Sequence, residues 1–316
     1  MASQYQTQHV KRLRRKAGRA AVAIRQSPDP NGKYDLEFSD RVTPFLQGEV
    51  RMIERQQRGT TAVVTIARPA QRNALTPQSM VDLRDALVAA DKDEGARVII
   101  ITGQGEQAFC AGADVRATLP SERSFISAYF DRDSDASHPL YIRNIALDRL
   151  GISKPVIAAV NGVAAGGGME IALNCDLCIA SERARFGLTE VKIGSIPAVA
   201  GIQRLLRSLP RPAAMKLLLT GDLIGADEAL RLGLVSEVVP PEALIDHVLE
   251  IADRIAANAP LAVKVAKRLA DKAFELPLRE AAALEELMWG HLYATEDRVE
   301  GRKAFAERRP PSFRGV

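Results

Sequence analysis

Short apolar runs alternate with amphipathic stretches along the chain from about residue 60 onward. Two runs rich in β-branched residues, 60–67 and 98–102, are typical of buried strands. Between them, Thr76 and Pro77 have the chemistry of a helix start, and the apolar residues after them recur at helical spacing through about Asp91. The recurring order of strand, turn and helix predicts an α/β fold.

The pattern becomes mostly helical after residue 200. It predicts a helix over 212–219, a helix over 226–232 that Gly233 ends, and a strand over 234–239. Nearly all of 241–309 then has helical periodicity. Two apolar stripes are expected to face a core or a partner, Leu244, Val248, Ile251 and Ile255 in the first and Val263, Ala266 and Ala270 in the second.

Residues 1–48 differ from the rest and form a basic N-terminal extension. Within residues 1–30 there are seven Lys or Arg and one acid, a net charge of +6, whereas the whole chain has +4. The remaining residues therefore carry −2. Such a segment is a solvated or partner-docked extension, a mitochondrial transit peptide, or a nucleic-acid-binding arm. The last is possible but the least favoured.

The glycine-rich stretch after residue 160 is the strongest chemical signal. A buried strand is predicted over Pro155–Val160, three glycines stand at 166–168, and a buried helix is predicted from Met169 to Cys175. This layout brings backbone N–H groups to a helix start, where they bind phosphate or stabilise an oxyanion. Glu170 would repel a phosphate, so a carbonyl that becomes an enolate fits better. The alternative is that the glycines only permit close packing of helix on strand.

Three blocks of sequence resemble the crotonase family, the enoyl-CoA hydratases and isomerases. The resemblance covers about residues 50–316. The residues that carry it are Arg68-Pro69 with Arg72-Asn73-Ala74-Leu75, then Ala108 to Asp114, then Asn161-Gly162, Gly166-Gly167-Gly168, Glu170, Cys175-Asp176, Ala184, Phe186-Gly187, Glu190 and Gly194 to Pro197.

The resemblance implies an α/β fold, a crotonase-like spiral of ββα repeats, over 49–240. It implies that 241–316 is a C-terminal helical region that makes a homotrimer, or a hexamer built as a dimer of trimers. The spacing of the helices alone leaves open that they cap a monomer.

The resemblance also implies the catalytic residues, by matching them to the motif. The N–H groups of Ala113 and Gly167 would form an oxyanion hole for the thioester oxygen. Glu170 would hold and deprotonate a water molecule, and Glu190, when protonated, would deliver a proton to C2. Repulsion between two nearby carboxylates favours sharing one proton. A Glu outside such a setting is usually a surface charge.

Coenzyme A, as part of the substrate, would lie along the backbone of Arg72 to Ala74 and of Ala111 to Val115. No other cofactor is expected. The predicted binding residues are Arg72, Ala74, Ala111, Asp114, Val115, Gly166 and Lys267. Arg68 is a further phosphate candidate, and Lys267 could equally lie on a solvated helix face. Aromatic and aliphatic residues between 125 and 145 line an acyl pocket or are ordinary packing residues.

The leading hypothesis is hydration of a 2-enoyl-CoA to a 3-hydroxyacyl-CoA, as in fatty acid β-oxidation. The alternatives are a double-bond isomerase or another crotonase chemistry, such as retro-aldol cleavage or decarboxylation, on the same fold, an RNA-binding homologue that uses the basic extension, and an assembly protein. Glu170 favours hydration, since isomerases of the family commonly keep only the carboxylate matching Glu190. Thr189 and the segment 196–201 depart from the family pattern and leave the substrate preference open.

Composition excludes several other classes. No apolar run is long enough to span a membrane, and no secretory leader is seen. Three cysteines and four scattered histidines predict no disulfide scaffold and no metal site. A bacterial cytoplasmic location is expected, or the mitochondrial matrix if the basic segment is a transit peptide.

Overall fold

A computed structural model describes residues 52–118, 124–131 and 134–316. Residues Met52–Val316 form one compact unit, and the proposed division at residue 240 falls inside it. The predictions for the basic extension of residues 1–48 lie outside the described residues. In the described part of the chain, no helix is both long and apolar enough to cross a membrane.

The larger of two sheets has six strands in the order β1-β2-β3-β5-β7-β10. All neighbours are parallel except β1 and β2. The strands are β1 (Ile53–Arg58), β2 (Thr61–Ile66), β3 (Val98–Gly103), β5 (Val156–Val160), β7 (Leu177–Ser181) and β10 (Glu237–Val239). The strands predicted at 60–67, 98–102 and 155–160 are confirmed, whereas the polar edge strand β1 was not predicted.

Helices cover both faces of this sheet. Alternate residues of β3 point in opposite directions, so Ile99 and Ile101 join one core and Val98 and Ile100 join the other. The first core includes α1 (Pro77–Lys92), whose Thr76 hydroxyl accepts the Ser79 N–H at 3.1 Å as an N-cap. The second core lies under α7 (Leu244–Ala256). This two-sided burial explains why the strands are continuous apolar runs rather than alternating ones.

The smaller sheet has four short strands in the order β4-β6-β8-β9. They are β4 (Ala108–Cys110), β6 (Val163–Ala165), β8 (Arg185–Gly187) and β9 (Ile224–Gly225). The first three are parallel, so their carboxyl ends lie at one edge. The chain leaves that edge through α3 (Gly167–Asn174), which begins two residues before the predicted start at Met169.

The remaining helices include those predicted after residue 210 and one at 201–208 that was not predicted. They are α2 (Phe125–Tyr129), α4 (Gly201–Ser208), α5 (Arg211–Thr220), α6 (Ala226–Leu232), α8 (Pro260–Lys272), α9 (Leu278–Tyr293) and α10 (Glu296–Glu307). The strand predicted from Leu234 begins only at Glu237. In the second apolar stripe Ala266 and Ala270 are exposed, and α8 buries none of its residues in this chain. The core of this chain therefore does not cover the stripe, and its contact with a partner stays a prediction.

Candidate active site

Two chain segments meet at the carboxyl edge of the small sheet. The segment after β4 pairs with the segment before α1 through backbone hydrogen bonds. Ala111 N–H donates to the Arg72 carbonyl at 3.1 Å, Leu75 N–H to Gly112 at 2.8 Å, and Asp114 N–H to Leu75 at 2.8 Å. The two stretches predicted to hold coenzyme A are therefore neighbours, although nearly forty residues separate them along the chain.

Gly112 lets this paired segment approach the start of α3. Its φ is +89°, a conformation that favours glycine, and a Cβ there would lie 2.9 Å from the Ala165 carbonyl and 3.1 Å from the Gly167 nitrogen. A Cβ on Gly167 would lie 3.9 Å from the Ala113 nitrogen. The N–H groups of Ala113 and Gly167 are thus close together, and their role as an oxyanion hole stays a prediction.

Both N–H groups are available to a ligand. Gly167 is the first residue of α3, so its N–H has no acceptor within the helix. Ala113 forms a bridge with Leu75, but its N–H donates to no acceptor among the described residues. The positive end of the helix dipole adds to the field at this point.

Glu170 lies in the first turn of α3 and is 1% exposed. Its Oε1 atom accepts the N–H groups of Val199 at 2.7 Å and Gly201 at 3.1 Å. Burial raises the pKa of Glu170 above its usual value, and the backbone N–H groups of Val199, Gly201 and Ala198 oppose that rise. The side chain is therefore a buried, held carboxylate rather than a surface charge.

Glu190 begins a short 3-10 helix, Glu190–Ile193, after β8. Its Oε1 atom lies 3.3 Å from the position that a Cβ on Gly166 would occupy, next to the start of α3. Its Oε2 atom is buried and has no hydrogen-bond partner among the described residues. Burial raises the pKa of Glu190 to about 7, with a further contribution from the charge of Glu170. The fold thus brings the two glutamates into electrostatic contact.

The predicted coenzyme A residues have different settings. Asp114 accepts from Arg68 at 3.1 Å, Arg72 is exposed, and Val115 is 62% exposed. Ala74 and Ala111 are half-buried, and the Gly166 N–H donates to Gly187. All of these lie on the segments that meet at the site, and their roles stay predictions.

Lys267 is set apart from them. Its Nζ atom donates to Asp176 at 2.8 Å and to the Lys154 carbonyl at 2.9 Å, just before β5 begins. This ion pair is mostly buried, so Lys267 does not lie on a solvated helix face in this chain, and its predicted contact with coenzyme A stays a prediction.

Two further residues lie beside the site: Ile145, which the sequence placed among the acyl-pocket or packing residues of 125–145, and Asn174, which was not predicted. The Ile145 Cδ1 atom lies 3.3 Å from the position of a Cβ on Gly167, so its side chain forms a wall next to that N–H. Asn174, at the end of α3, donates to the carbonyls of Glu170 and Val199. A single Asn in a helix carries no pattern from which the position of Asn174 could be inferred.

The three cysteines are free; Cys110 is buried, and Cys175 and Cys178 are half-buried. Burial raises the pKa of Cys110 and of Cys178 to about 12 and that of Cys175 well above its usual value. Among the described residues, no three His, Cys, Asp or Glu side chains are grouped as metal ligands.

Comparison with known proteins supports the family that the sequence motifs resemble. The family model described as enoyl-CoA hydratase/isomerase matches residues 56–316. The chain is 46% identical over 255 residues to the (E)-benzylidenesuccinyl-CoA hydratase of Thauera aromatica, an alignment that covers 81% of this chain and 96% of the relative. It is 39% identical over 262 residues to the crotonyl-CoA hydratase of Syntrophomonas wolfei, with 83% and 96% covered.

Solved structures agree in fold. The enoyl-CoA hydratase of Bacillus anthracis superposes with a TM-score of 0.76 at 34% identity, over 84% of this chain and all of that one. The crotonase fold predicted from the sequence is confirmed. The chain therefore belongs to the enoyl-CoA hydratase/isomerase family.

Proposed function

We propose that this protein adds water across the 2,3 double bond of a 2-enoyl-CoA. The observation that carries the proposal is the pair formed by the buried Glu170 and the half-buried Glu190, whose Oε2 atom is buried, beside the two unpaired N–H groups of Ala113 and Gly167. Relatives named as enoyl-CoA hydratases support it, since they match more than four fifths of the chain. An isomerase would need only one of the two carboxylates.

In the proposed reaction the thioester oxygen accepts the N–H groups of Ala113 and Gly167. Ionised Glu170 takes one proton from water while the water oxygen bonds to C3. The double-bond electrons move onto the thioester oxygen as an enolate, which the two N–H groups stabilise by about 3–4 kcal/mol each. Glu190 gives its proton to C2, and proton exchange between the two carboxylates restores the starting state.

The charge states required by this reaction fit the site. A pKa of about 7 leaves Glu190 partly protonated at neutral pH. Glu170 accepts two backbone N–H groups on one oxygen, and these bonds favour its ionised form. One proton shared between two carboxylates is the charge state that both roles need.

The acyl group would extend toward Ile145 and the segment before it. Arg143 donates to the carbonyls of Tyr129 at 3.0 Å and Asp131 at 3.2 Å and stacks on the Tyr129 ring. Tyr129 also makes ring contacts with Phe125 and Phe130, and all three rings are more than half exposed. Ordinary core packing does not describe these rings, so we favour a role at the acyl pocket.

Such a pocket suits an aryl-substituted acyl group, because aromatic rings stack with one another. The relative from Thauera aromatica is named for a benzylidene substrate. We expect cinnamoyl-CoA to be hydrated, and we expect Tyr129→Ala to lower kcat/KM for cinnamoyl-CoA about tenfold while changing that for crotonoyl-CoA less than twofold. An equal loss for both substrates would place Tyr129 outside the acyl pocket.

A trimer or hexamer is proposed on the basis of the exposed helices at the C-terminal end. Leu278, Trp289 and Tyr293 on α9 and Phe305 on α10 are each more than half exposed, a pattern typical of an interface. Sedimentation of the purified protein tests this proposal. The location in a bacterial cytoplasm and a role in β-oxidation rest on the family resemblance.

The hydratase proposal is tested with crotonoyl-CoA by the loss of its conjugated enoyl-thioester absorbance. Glu170→Gln and Glu190→Gln should each lower kcat by roughly 10²-fold to 10⁴-fold, because each removes one proton-transfer group. Glu182→Gln is the matched control, since Glu182 is exposed and lies after β7. Turnover that is unchanged in both site variants would refute the proposal. Conversion of a 3-enoyl-CoA that survives in Glu170→Gln would favour the isomerase.

A further inference from the structure

Asn174 is a buried polar residue one helical turn after Glu170 on α3. Its Nδ2 atom donates to two carbonyl groups, that of Glu170 at 2.8 Å and that of Val199 at 3.1 Å. Because both partners are acceptors, the amide can be oriented only with its NH₂ group toward them. One side chain therefore joins the catalytic helix to the segment 197–201.

That segment also donates hydrogen bonds to the Glu170 side chain. The N–H of Val199 and the N–H of Gly201 both donate to Oε1 of Glu170. Val199 is thus attached to α3 through its N–H and its carbonyl. The segment has no strand or helix ladder before α4, and Ala200 has a φ of +62°, which alanine adopts reluctantly.

We propose that Asn174 is a positioning residue, whose amide holds the segment 197–201 against α3 so that two backbone N–H groups reach the Glu170 carboxylate. The inference rests on the proposed function only for the role of Glu170 in turnover. The position of the carboxylate can be measured without turnover.

The residue type matters at this position. Leucine keeps the branching at Cγ but has no donor, so the segment would lose its link to α3. Serine in a helix can donate to the carbonyl four residues earlier, which is that of Glu170, but it is too short to reach Val199. Comparing Asn174→Ser with the wild type therefore isolates the hydrogen bond that crosses to the segment, and comparing Asn174→Ser with Asn174→Leu isolates the bond to the Glu170 carbonyl.

The expected consequence is a change in the ionisation of Glu170. Across the site, Glu190 is the titratable group that interacts with Glu170. Arg204, on the neighbouring helix α4, acts on Cys175 and Asp271. Loss of the backbone N–H groups would remove bonds that favour the ionised form of Glu170, so its pKa would rise further.

The experiment compares Asn174→Ser and Asn174→Leu with the wild type on crotonoyl-CoA. We expect kcat to fall about 10-fold to 100-fold with KM changed less than twofold, because the carboxylate is misplaced while the coenzyme A contacts remain. The acid limb of the kcat profile should move to higher pH by about one unit, since the general base must be ionised.

Asn258→Leu is the matched control. Asn258 also donates from Nδ2 to the carbonyl four residues earlier, at 3.1 Å, but it is exposed at the end of α7. Its kinetics should equal those of the wild type. Asn174 variants with wild-type kcat and an unmoved acid limb would overturn the inference, as would a loss of kcat that matches the loss of folded protein with no shift in the limb.

A second readout separates this inference from the hydratase proposal. The carboxyl stretching band of Glu170, identified by its absence in Glu170→Gln, gives the pKa of Glu170 directly in an infrared titration. A higher pKa in Asn174→Ser supports positioning even if the wild type does not hydrate crotonoyl-CoA. An unchanged pKa refutes it even if hydration is observed.

Discussion

Gly201 is the residue where one added methyl group has the clearest consequence. It is the first residue of α4, and its N–H donates to Oε1 of Glu170 at 3.1 Å. A Cβ on Gly201 would lie 2.7 Å from that same oxygen and 2.8 Å from the Glu170 Cγ atom. Ordinary contacts between a methyl carbon and these atoms are longer by about half an ångström or more. Gly201→Ala therefore forces the carboxylate or the segment to move.

The magnitude follows from the geometry. A displacement of the carboxylate by about 0.5–1 Å lengthens the bonds from Val199 and Gly201 and misaligns the general base, for which a loss near 10²-fold in kcat is expected. That loss corresponds to about 2.7 kcal/mol of transition-state stabilisation.

The assay measures kcat and KM on crotonoyl-CoA together with unfolding in urea. Gly290→Ala is the control, since Gly290 lies inside α9 and a Cβ there would meet no atom within 4 Å in this chain. It should leave kcat unchanged. In a Glu170→Gln background, Gly201→Ala should lower kcat little further, because the carboxylate is already absent. A wild-type kcat for Gly201→Ala, or a full additional loss in the double variant, would refute the reasoning.

Three further predictions concern stability. Glu190 has a pKa of about 7 in the fold against 4.5 when unperturbed, so its ionisation destabilises the fold increasingly as pH rises from about 4.5 to about 7. Glu190→Gln should therefore raise Tm at pH 8.5 but not at pH 4, and equal shifts of Tm at both pH values would contradict this. Lys154→Met should lower the free energy of unfolding by about 2 kcal/mol, because Lys154 donates to two carbonyls at the end of α1. Lys303 is exposed, so the control Lys303→Met should leave the free energy of unfolding unchanged. Ala200→Gly should raise the free energy of unfolding, measured in urea, by about 1 kcal/mol, because glycine adopts the positive φ of residue 200 without strain. A lower free energy of unfolding would show that this φ carries no strain.

The larger sheet was predictable because burial on two faces produces long apolar runs. β2, β3 and β5 are such runs, and each was assigned from composition alone. The edge strand β1 was missed because five of its six residues are exposed and polar. The strands of the small sheet have two or three residues each, too few for any period to be seen. Their pairing is decided by contacts between distant parts of the chain.

In the site, the residues that act through their side chains or stand in motifs were predictable from the sequence, whereas a contact made by the backbone was not. Glu170 and Glu190 stand in recognisable motifs, and so do Ala113 and Gly167, because the chemistry depends on residue type there. The segment 196–201 departs from the family pattern, and its side chains suggested an effect on substrate preference. In the structure its nearest link to the chemistry is the backbone, whose N–H groups hold the Glu170 carboxylate. A backbone donor is nearly independent of residue type, so a segment can lose its familiar sequence and retain this contact, provided that Gly201 stays small enough to admit the carboxylate.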